Sequence, residues 1–169
     1  MGFLKKIFTR KKPSELDQLK QREYDHDEKS YDPNYYFSEE AAKTGKQIYK
    51  DKKEYVKNNP TDFETVGAEI HGFLWSAVKD MPASEREIFY LTGEGKYYED
   101  IGEYQKAIEK YQDADDLTME VCGEEIQQII NDSGPGDYLY TSKIRQRIRV
   151  CERKLKKQRG WKKFTIYLT

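Results

Sequence analysis

Small and aromatic residues recur at helical spacing in the middle of the chain, between Gly95 and Ala114. The small residues are Gly95, Ala107 and Ala114, and the aromatic residues are Tyr98, Tyr104 and Tyr111. Two closely packed helices need this arrangement, because a small residue lets the backbones approach and a ring fills the space beside it. Gly102 lies where it can end the first helix. The pattern predicts a helical hairpin over about residues 85–116, whose second helix starts near Glu103.

Residues 88–121 resemble one tetratricopeptide repeat, a helix–turn–helix unit of about 34 residues. The resemblance depends on a large, a small and an aromatic residue in the first helix, and on two alanines flanking an aromatic residue in the second. These residues are Leu91, Gly95 and Tyr98, then Ala107, Tyr111 and Ala114, with Gly102 and Tyr104 also at typical positions. Two positions depart from the family, since Glu94 replaces the usual Leu and Met119 replaces the closing Pro.

The resemblance implies a binding function without catalysis. In this family, the first helices of successive repeats line a concave surface that holds a peptide or a helix of a partner. In the matching first helix, the exposed candidates for partner binding are Phe89, Thr92, Lys96 and Glu99. We therefore expect a protein–protein interaction module, an adaptor or regulator whose partner and oligomeric state the sequence does not identify.

Local signals predict helices on both sides of this hairpin. Ser38 can cap a helix that runs to about Asn58, with two acidic residues in its first turn. Thr61-Asp62-Phe63-Glu64 forms a capping box before an apolar helix that runs to about Asp80. Ser84-Glu85-Arg86-Glu87 is a second capping box. A final helix is expected over about residues 138–158, ended by Gly160.

These helices predict an all-α protein. Three stacked antiparallel hairpins, at about 38–80, 85–116 and 119–158, would form a tetratricopeptide-like fragment of an α-solenoid within a domain at 37–160. The helix that starts near Glu103 either breaks before the third hairpin or continues through evenly spaced apolar residues. The break is the favoured alternative, because Thr118 could cap a new helix.

The chain ends are expected to differ from this domain. Residues 1–12, MGFLKKIFTRKK, form a short basic amphipathic segment. This segment either contacts an anionic membrane weakly, remains a solvated terminus or docks on the protein itself. Residues 13–36 are dense in charge and poor in aliphatic side chains, which predicts a disordered linker and makes 1–36 a flexible arm. Residues 161–169 are expected to form a short extended tail.

Charge is unevenly distributed, although the net charge is only −1. Acidic residues outnumber basic ones at 94–125, and basic residues outnumber acidic ones at 143–163. The two stretches either face each other within the fold or leave a basic surface for nucleic acid or an acidic partner. The basic candidates are Lys143, Arg145, Arg149, Arg153, Lys156 and Lys157.

No catalytic, metal-binding or phosphate-binding motif is present in the sequence, so we expect neither an enzyme nor a cofactor. His71 has no Cys, Ser or second His nearby in sequence, and it is expected on a helix surface or at the edge of the core. Cys122 and Cys151 lack metal-type spacing and are expected to be buried. With no evident signal peptide, these features favour a cytoplasmic protein, with peripheral membrane contact as an alternative.

Overall fold

The computed structural model describes the backbone of residues 13–133 and 139–166, and the side chains of 13–124, 126–128 and 143–160. The predicted membrane contact of residues 1–12 lies outside these ranges. The chain divides into two compact units, Met1–Asp51 and Lys52–Thr169. The division therefore falls inside the domain predicted for residues 37–160.

Every regular element in the described part of the chain is a helix, which confirms the all-α prediction. The elements are α1 (Glu15–Lys29), α2 (Pro33–Tyr36), α3 (Glu39–Asn58), α4 (Phe63–His71), α5 (Trp75–Val78), α6 (Ala83–Asp100), α7 (Tyr104–Ser133) and α8 (Leu139–Ile166). The predicted start of α3 is also confirmed, since the Ser38 hydroxyl accepts a hydrogen bond from the backbone N–H of Ala41. Neither α4 nor α6 has a side-chain hydrogen bond at its N-cap, so the two predicted capping boxes do not form.

The N-terminal unit corrects the prediction of a linker at residues 13–36, because α1 and α2 occupy most of that range. Ser14 caps α1 in a reciprocal capping box with Asp17. Leu19 is buried, and Arg22 of α1 forms a 2.8 Å ion pair with Asp51 of α3. A low aliphatic content alone was a poor guide, since the cap and these tertiary contacts stabilise a charged helix.

In the C-terminal unit, α4 packs on α6, α6 on α7 and α7 on α8. α4 is shorter than predicted, because Gly72 takes a left-handed conformation (φ 76°) and ends it. The predicted continuous helix to Asp80 is therefore replaced by α4, a short connection and α5. The periodicity of apolar residues continues across this break, which explains why the sequence predicted one continuous helix.

α4 and α6 cross in antiparallel contact at two glycines. A Cβ atom built on Gly67 would lie 1.8 Å from the carbonyl oxygen of Phe89, and one built on Gly93 would lie 1.9 Å from that of Phe63. Each helix therefore contributes the same Phe-x-x-x-Gly unit, and each glycine meets the backbone of the opposite phenylalanine. Because a side chain would fill this space, the crossing requires glycine at both positions.

The α6–α7 hairpin confirms the predicted packing of small residues against rings. Gly102 adopts φ 82° and ends α6 at the expected place. A Cβ atom on Gly95 would lie 2.8 Å from the ring of Tyr111, so the ring occupies the space beside that glycine. Ala107, Tyr111 and Ala114 are fully buried.

Two predicted helix ends are wrong. α7 continues to Ser133 without the break favoured near residue 117, since Thr118 donates a hydrogen bond to the carbonyl oxygen of Ala114 inside the helix instead of capping a new one. α8 continues through Gly160 to Ile166, so most of the predicted extended tail at 161–169 is helical. A helix tolerates an interior glycine at a cost of only about 1 kcal/mol.

Candidate functional site

The structure corrects the exposure of three of the four residues expected to bind a partner. Phe89 and Thr92 are fully buried, and Glu99 is only 9% exposed. Lys96 is partly exposed and forms an ion pair with Asp100, one helical turn along α6. The face of α6 that the resemblance assigned to a partner is thus largely covered by the protein's own helices.

Thr92 belongs to a buried contact between α4 and α6. Its hydroxyl donates a 2.8 Å hydrogen bond to the carbonyl oxygen of Ile88 and therefore accepts from Nε2–H of His71, which lies 3.0 Å away. Burial first, and then the positive charges of Lys143 and Arg147, together lower the pKa of His71 to about 4. His71 is thus a neutral core residue, which contradicts a surface position.

Glu99 joins α6 to α7 and α8 through three hydrogen bonds. It accepts from the Tyr111 hydroxyl at 3.2 Å, from Arg147 at 3.0 Å and from Lys154 at 3.0 Å. Burial alone would raise the pKa of Glu99, but the Lys154 hydrogen bond and the Arg147 charge outweigh burial and hold the pKa below its ordinary value. Glu99 therefore remains ionised and ties together three helices.

Cys151 confirms the prediction that it is buried. It is fully covered, and burial next to the Glu99 carboxylate raises the pKa of its thiol to about 11. A thiol with this pKa is protonated at neutral pH, so Cys151 acts as a small core residue. Cys122 is only partly buried.

An open groove, called the central groove below, runs across the C-terminal unit. It consists of two clefts of about 650 and 360 Å³ that share Ile70 and Arg147. Its apolar lining is Val56, Pro60, Val66, Ile70 and Val150, and its charged lining is Lys53, Lys57, Glu69, Lys96, Glu99, Asp100, Lys143 and Arg147. The end of α3, α4, α6 and α8 each contribute to these walls.

The α3 wall of the central groove is held in place by contacts with α4 and α5. Lys52 forms a 2.9 Å ion pair with Glu69, and the Tyr55 hydroxyl donates a 3.0 Å hydrogen bond to Asp62. Trp75, which is buried, packs edge-on against Tyr55 and donates to Glu69 at 3.2 Å. The groove is therefore a preformed feature of the unit, as ligand sites usually are.

The basic candidates of α8 divide into separate groups. Lys143 lines the central groove. Arg145 pairs with Asp115 of α7 at 2.9 Å, which joins the basic and acidic stretches as one alternative expected. The remaining candidates are exposed and form no ion pair with another described side chain; they are Arg149, Arg153, Lys156 and Lys157.

Most of the central groove was not recognised from the sequence. Only Lys96, Glu99 and Lys143 were among the candidates, while Ile70 and Arg147 were not. Ile70 lies in the range of the apolar helix predicted after Thr61-Asp62-Phe63-Glu64, and this apolar character is the one signal that could have identified it. The groove walls come from four helices distant in the sequence, so no local spacing marks them.

The fold defines an all-α protein built from antiparallel helix pairs. Comparison with protein-family models, curated proteins and solved structures finds no significant match to this chain. The tetratricopeptide resemblance of residues 88–121 therefore depends on the packing residues of α6 and α7 alone. Within the described ranges, none of the helices has the length and apolar character needed to cross a bilayer.

Proposed function

We propose that the protein is a non-enzymatic protein–protein interaction module that binds a peptide or helix of a partner in the central groove. The open, apolar floor of the groove carries this proposal, because an amphipathic segment is bound by laying its apolar face on such a floor. The groove measures about 650 Å³ in its larger cleft. It replaces the face of α6 that the sequence suggested.

The α6–α7 hairpin supports the more specific proposal that this interaction module is tetratricopeptide-like. Its Gly95–Tyr111 contact and buried alanines follow the pairing of small and aromatic residues in that family. The central groove also receives residues from α3, α6 and α8. If α6 and α7 form one repeat, then α8 would be the first helix of the next, and first helices line the binding surface in that family.

The proposal is tested with a display library of random 16-residue peptides selected on the full chain. We expect the affinity of the selected peptides to fall at least 10-fold on Ile70→Glu. An apolar side chain that covers the new carboxylate removes its water and supplies no hydrogen bond in exchange. The matched control is Ile101→Glu, since Ile101 is 54% exposed and is not part of the groove lining. Calorimetry measures the affinities, and circular dichroism checks that both variants fold.

Methyl and amide NMR shifts of the wild-type protein provide a second measurement that needs no variant. Addition of a selected peptide should shift the signals of Val56, Val66 and Ile70. If peptides bind with equal affinity to Ile70→Glu and shift signals elsewhere, the proposal is wrong.

A second candidate is nucleic-acid binding by the exposed face of α8, favoured by the four exposed basic residues there. Fluorescence anisotropy with a single-stranded 20-mer tests it. Binding should weaken steeply with salt and be lost in the combined variant Arg149→Ala/Arg153→Ala/Lys156→Ala. Absence of binding at 50 mM salt would exclude this candidate.

A further inference from the structure

The charged lining of the central groove is unbalanced. It contains five basic residues and three acidic residues, namely Lys53, Lys57, Lys96, Lys143 and Arg147 against Glu69, Glu99 and Asp100. Unequal charge on a concave wall produces a potential that selects ligands of the opposite sign. The groove therefore favours negative charge.

Positive charge beside the lining adds to this excess, because two of the three acidic side chains also pair with basic side chains outside the lining. Glu69 pairs with Lys52, which is outside the lining, and Asp100 pairs with Lys96. Glu99 is shared by Arg147 and Lys154. Lys52 and Lys154 thus offset Glu69 and Glu99, whereas Asp100 and Lys96 offset each other, so the groove keeps a net positive charge.

Lys143 of α8 lies next to the end of α4, since a Cβ atom built on Gly72 would be 3.2 Å from its Nζ. Lys143 and Arg147 both lower the pKa of His71, in addition to the effect of burial. Arg147 lines both clefts and uses one guanidinium nitrogen on Glu99, so its other N–H groups are available to a planar anion such as a carboxylate.

We propose that the occupant of the central groove is an acidic amphipathic segment of a partner protein, with aliphatic side chains on the floor and carboxylates facing Lys57, Lys143 and Arg147. This inference rests on the proposed function and specifies the chemistry of its ligand. Charge complementarity carries it, because the groove combines apolar side chains with lysines of α3 and with Lys143 and Arg147 of α8. A basic segment would meet like charge at both walls.

The test uses the tightest peptide from the display selection in three versions that share its apolar positions. Its charged positions are all Glu, all Gln or all Lys, and calorimetry gives each affinity at 150 mM and 500 mM salt. We expect the Glu version to bind at least 10-fold more tightly than the Gln version, the Lys version to bind most weakly, and the preference to shrink at high salt.

Two matched variants locate the effect. Lys57→Glu/Lys143→Glu reverses two lysines of the groove, and Lys156→Glu/Lys157→Glu reverses two exposed lysines of α8 outside it. Both double variants change the net charge equally. The Glu preference should disappear in the first variant and persist in the second.

The outcomes separate the two proposals. Equal binding of the Glu and Gln versions, with loss on Ile70→Glu, overturns the acidic-partner inference and leaves the proposed function intact. Failure of every version to bind overturns both. A Glu preference that disappears only in Lys156→Glu/Lys157→Glu also overturns the inference. So does a sedimentation result in which the protein self-associates with rising concentration, Lys57→Glu/Lys143→Glu abolishes this association, and no peptide binds.

Discussion

α6 packs against its neighbours in opposite ways on its two sides. Towards α4, the backbones touch at two points, because neither Gly67 nor Gly93 has a side chain to separate them there. Towards α7 and α8, side chains separate the helices and join them through the Tyr111 ring and the Glu99 carboxylate. The α4–α6 interface depends on the lack of a side chain at two glycines. The interface with α7 and α8 depends on the positions of charged and aromatic side-chain groups.

This difference indicates which interface can adjust. A side-chain tip can rotate or admit water, whereas a backbone in contact with another backbone can only move as a whole. We therefore expect α4 and α6 to form the rigid part of the C-terminal unit. The α8 wall of the central groove, held by Arg147 and Lys154, is the part that can adapt to a ligand.

The largest effect is expected for Gly93→Ala. The added methyl group would lie 1.9 Å from the carbonyl oxygen of Phe63, so α4 and α6 must separate. The free energy of unfolding should fall by more than about 3 kcal/mol, at or beyond the upper end of ordinary overpacking. Urea denaturation measures this change.

Gly123→Ala is the matched control, since the nearest atom outside its own helical backbone is the Met119 methyl at 4.0 Å. This substitution within α7 should raise the free energy of unfolding by about 0.5–1 kcal/mol through helix propensity. If Gly93→Ala behaved like Gly123→Ala, the backbone contact between α4 and α6 would be refuted.

On the opposite side of α6, Glu99→Gln should destabilise the unit by about 2–3 kcal/mol. Loss of the negative charge leaves Arg147 and Lys154 close together without their shared partner, and their partial exposure limits the cost. Because the folded pKa of Glu99 is lowered, its contribution is present above about pH 4.5 and is lost at lower pH, so measurement at pH 7 captures it fully.

Glu109→Gln on α7 is the control for this prediction, because Glu109 is exposed and accepts a 3.2 Å hydrogen bond from Gln105 on the same helix. Its effect should remain within about 0.5 kcal/mol. Equal effects of the two substitutions would show that Glu99 does not hold the helices together.

The smallest of the three effects concerns pH and the α4–α6 interface. The unfolded chain binds a proton on His71 near pH 6.5, whereas the folded protein resists it until about pH 4. The unfolded state therefore takes up more protons between these values, and the free energy of unfolding should fall by about 2 kcal/mol from pH 7 to pH 5.

Urea denaturation at several pH values measures this decline, and His71→Asn should remove it. The titration of the His71 ring protons by NMR provides a direct check, with a midpoint near pH 4. A midpoint near 6.5, with an unchanged slope in His71→Asn, would contradict the burial of a neutral imidazole.

Some predictions that depend on neighbouring residues succeeded, although both capping boxes and the helix end at Gly160 did not form. Gly102 ends α6, and Gly95, Tyr111 and the buried alanines pack as their spacing indicated. Others failed where the deciding partner is distant. The spacing of Phe89 and Thr92 placed them on a binding face, but α4 covers that face by contributing Gly67 and His71.

The sequence by itself determined the class of fold and the α6–α7 hairpin, because helical periodicity, small residues and turn glycines act over a few residues. Only the tertiary structure decided which surface remained open. The central groove joins residues from Lys53 to Val150, and its positive charge depends on which acids are already paired. These ion pairs depend on distances between helices, so the periodicity of residues along the chain does not predict them.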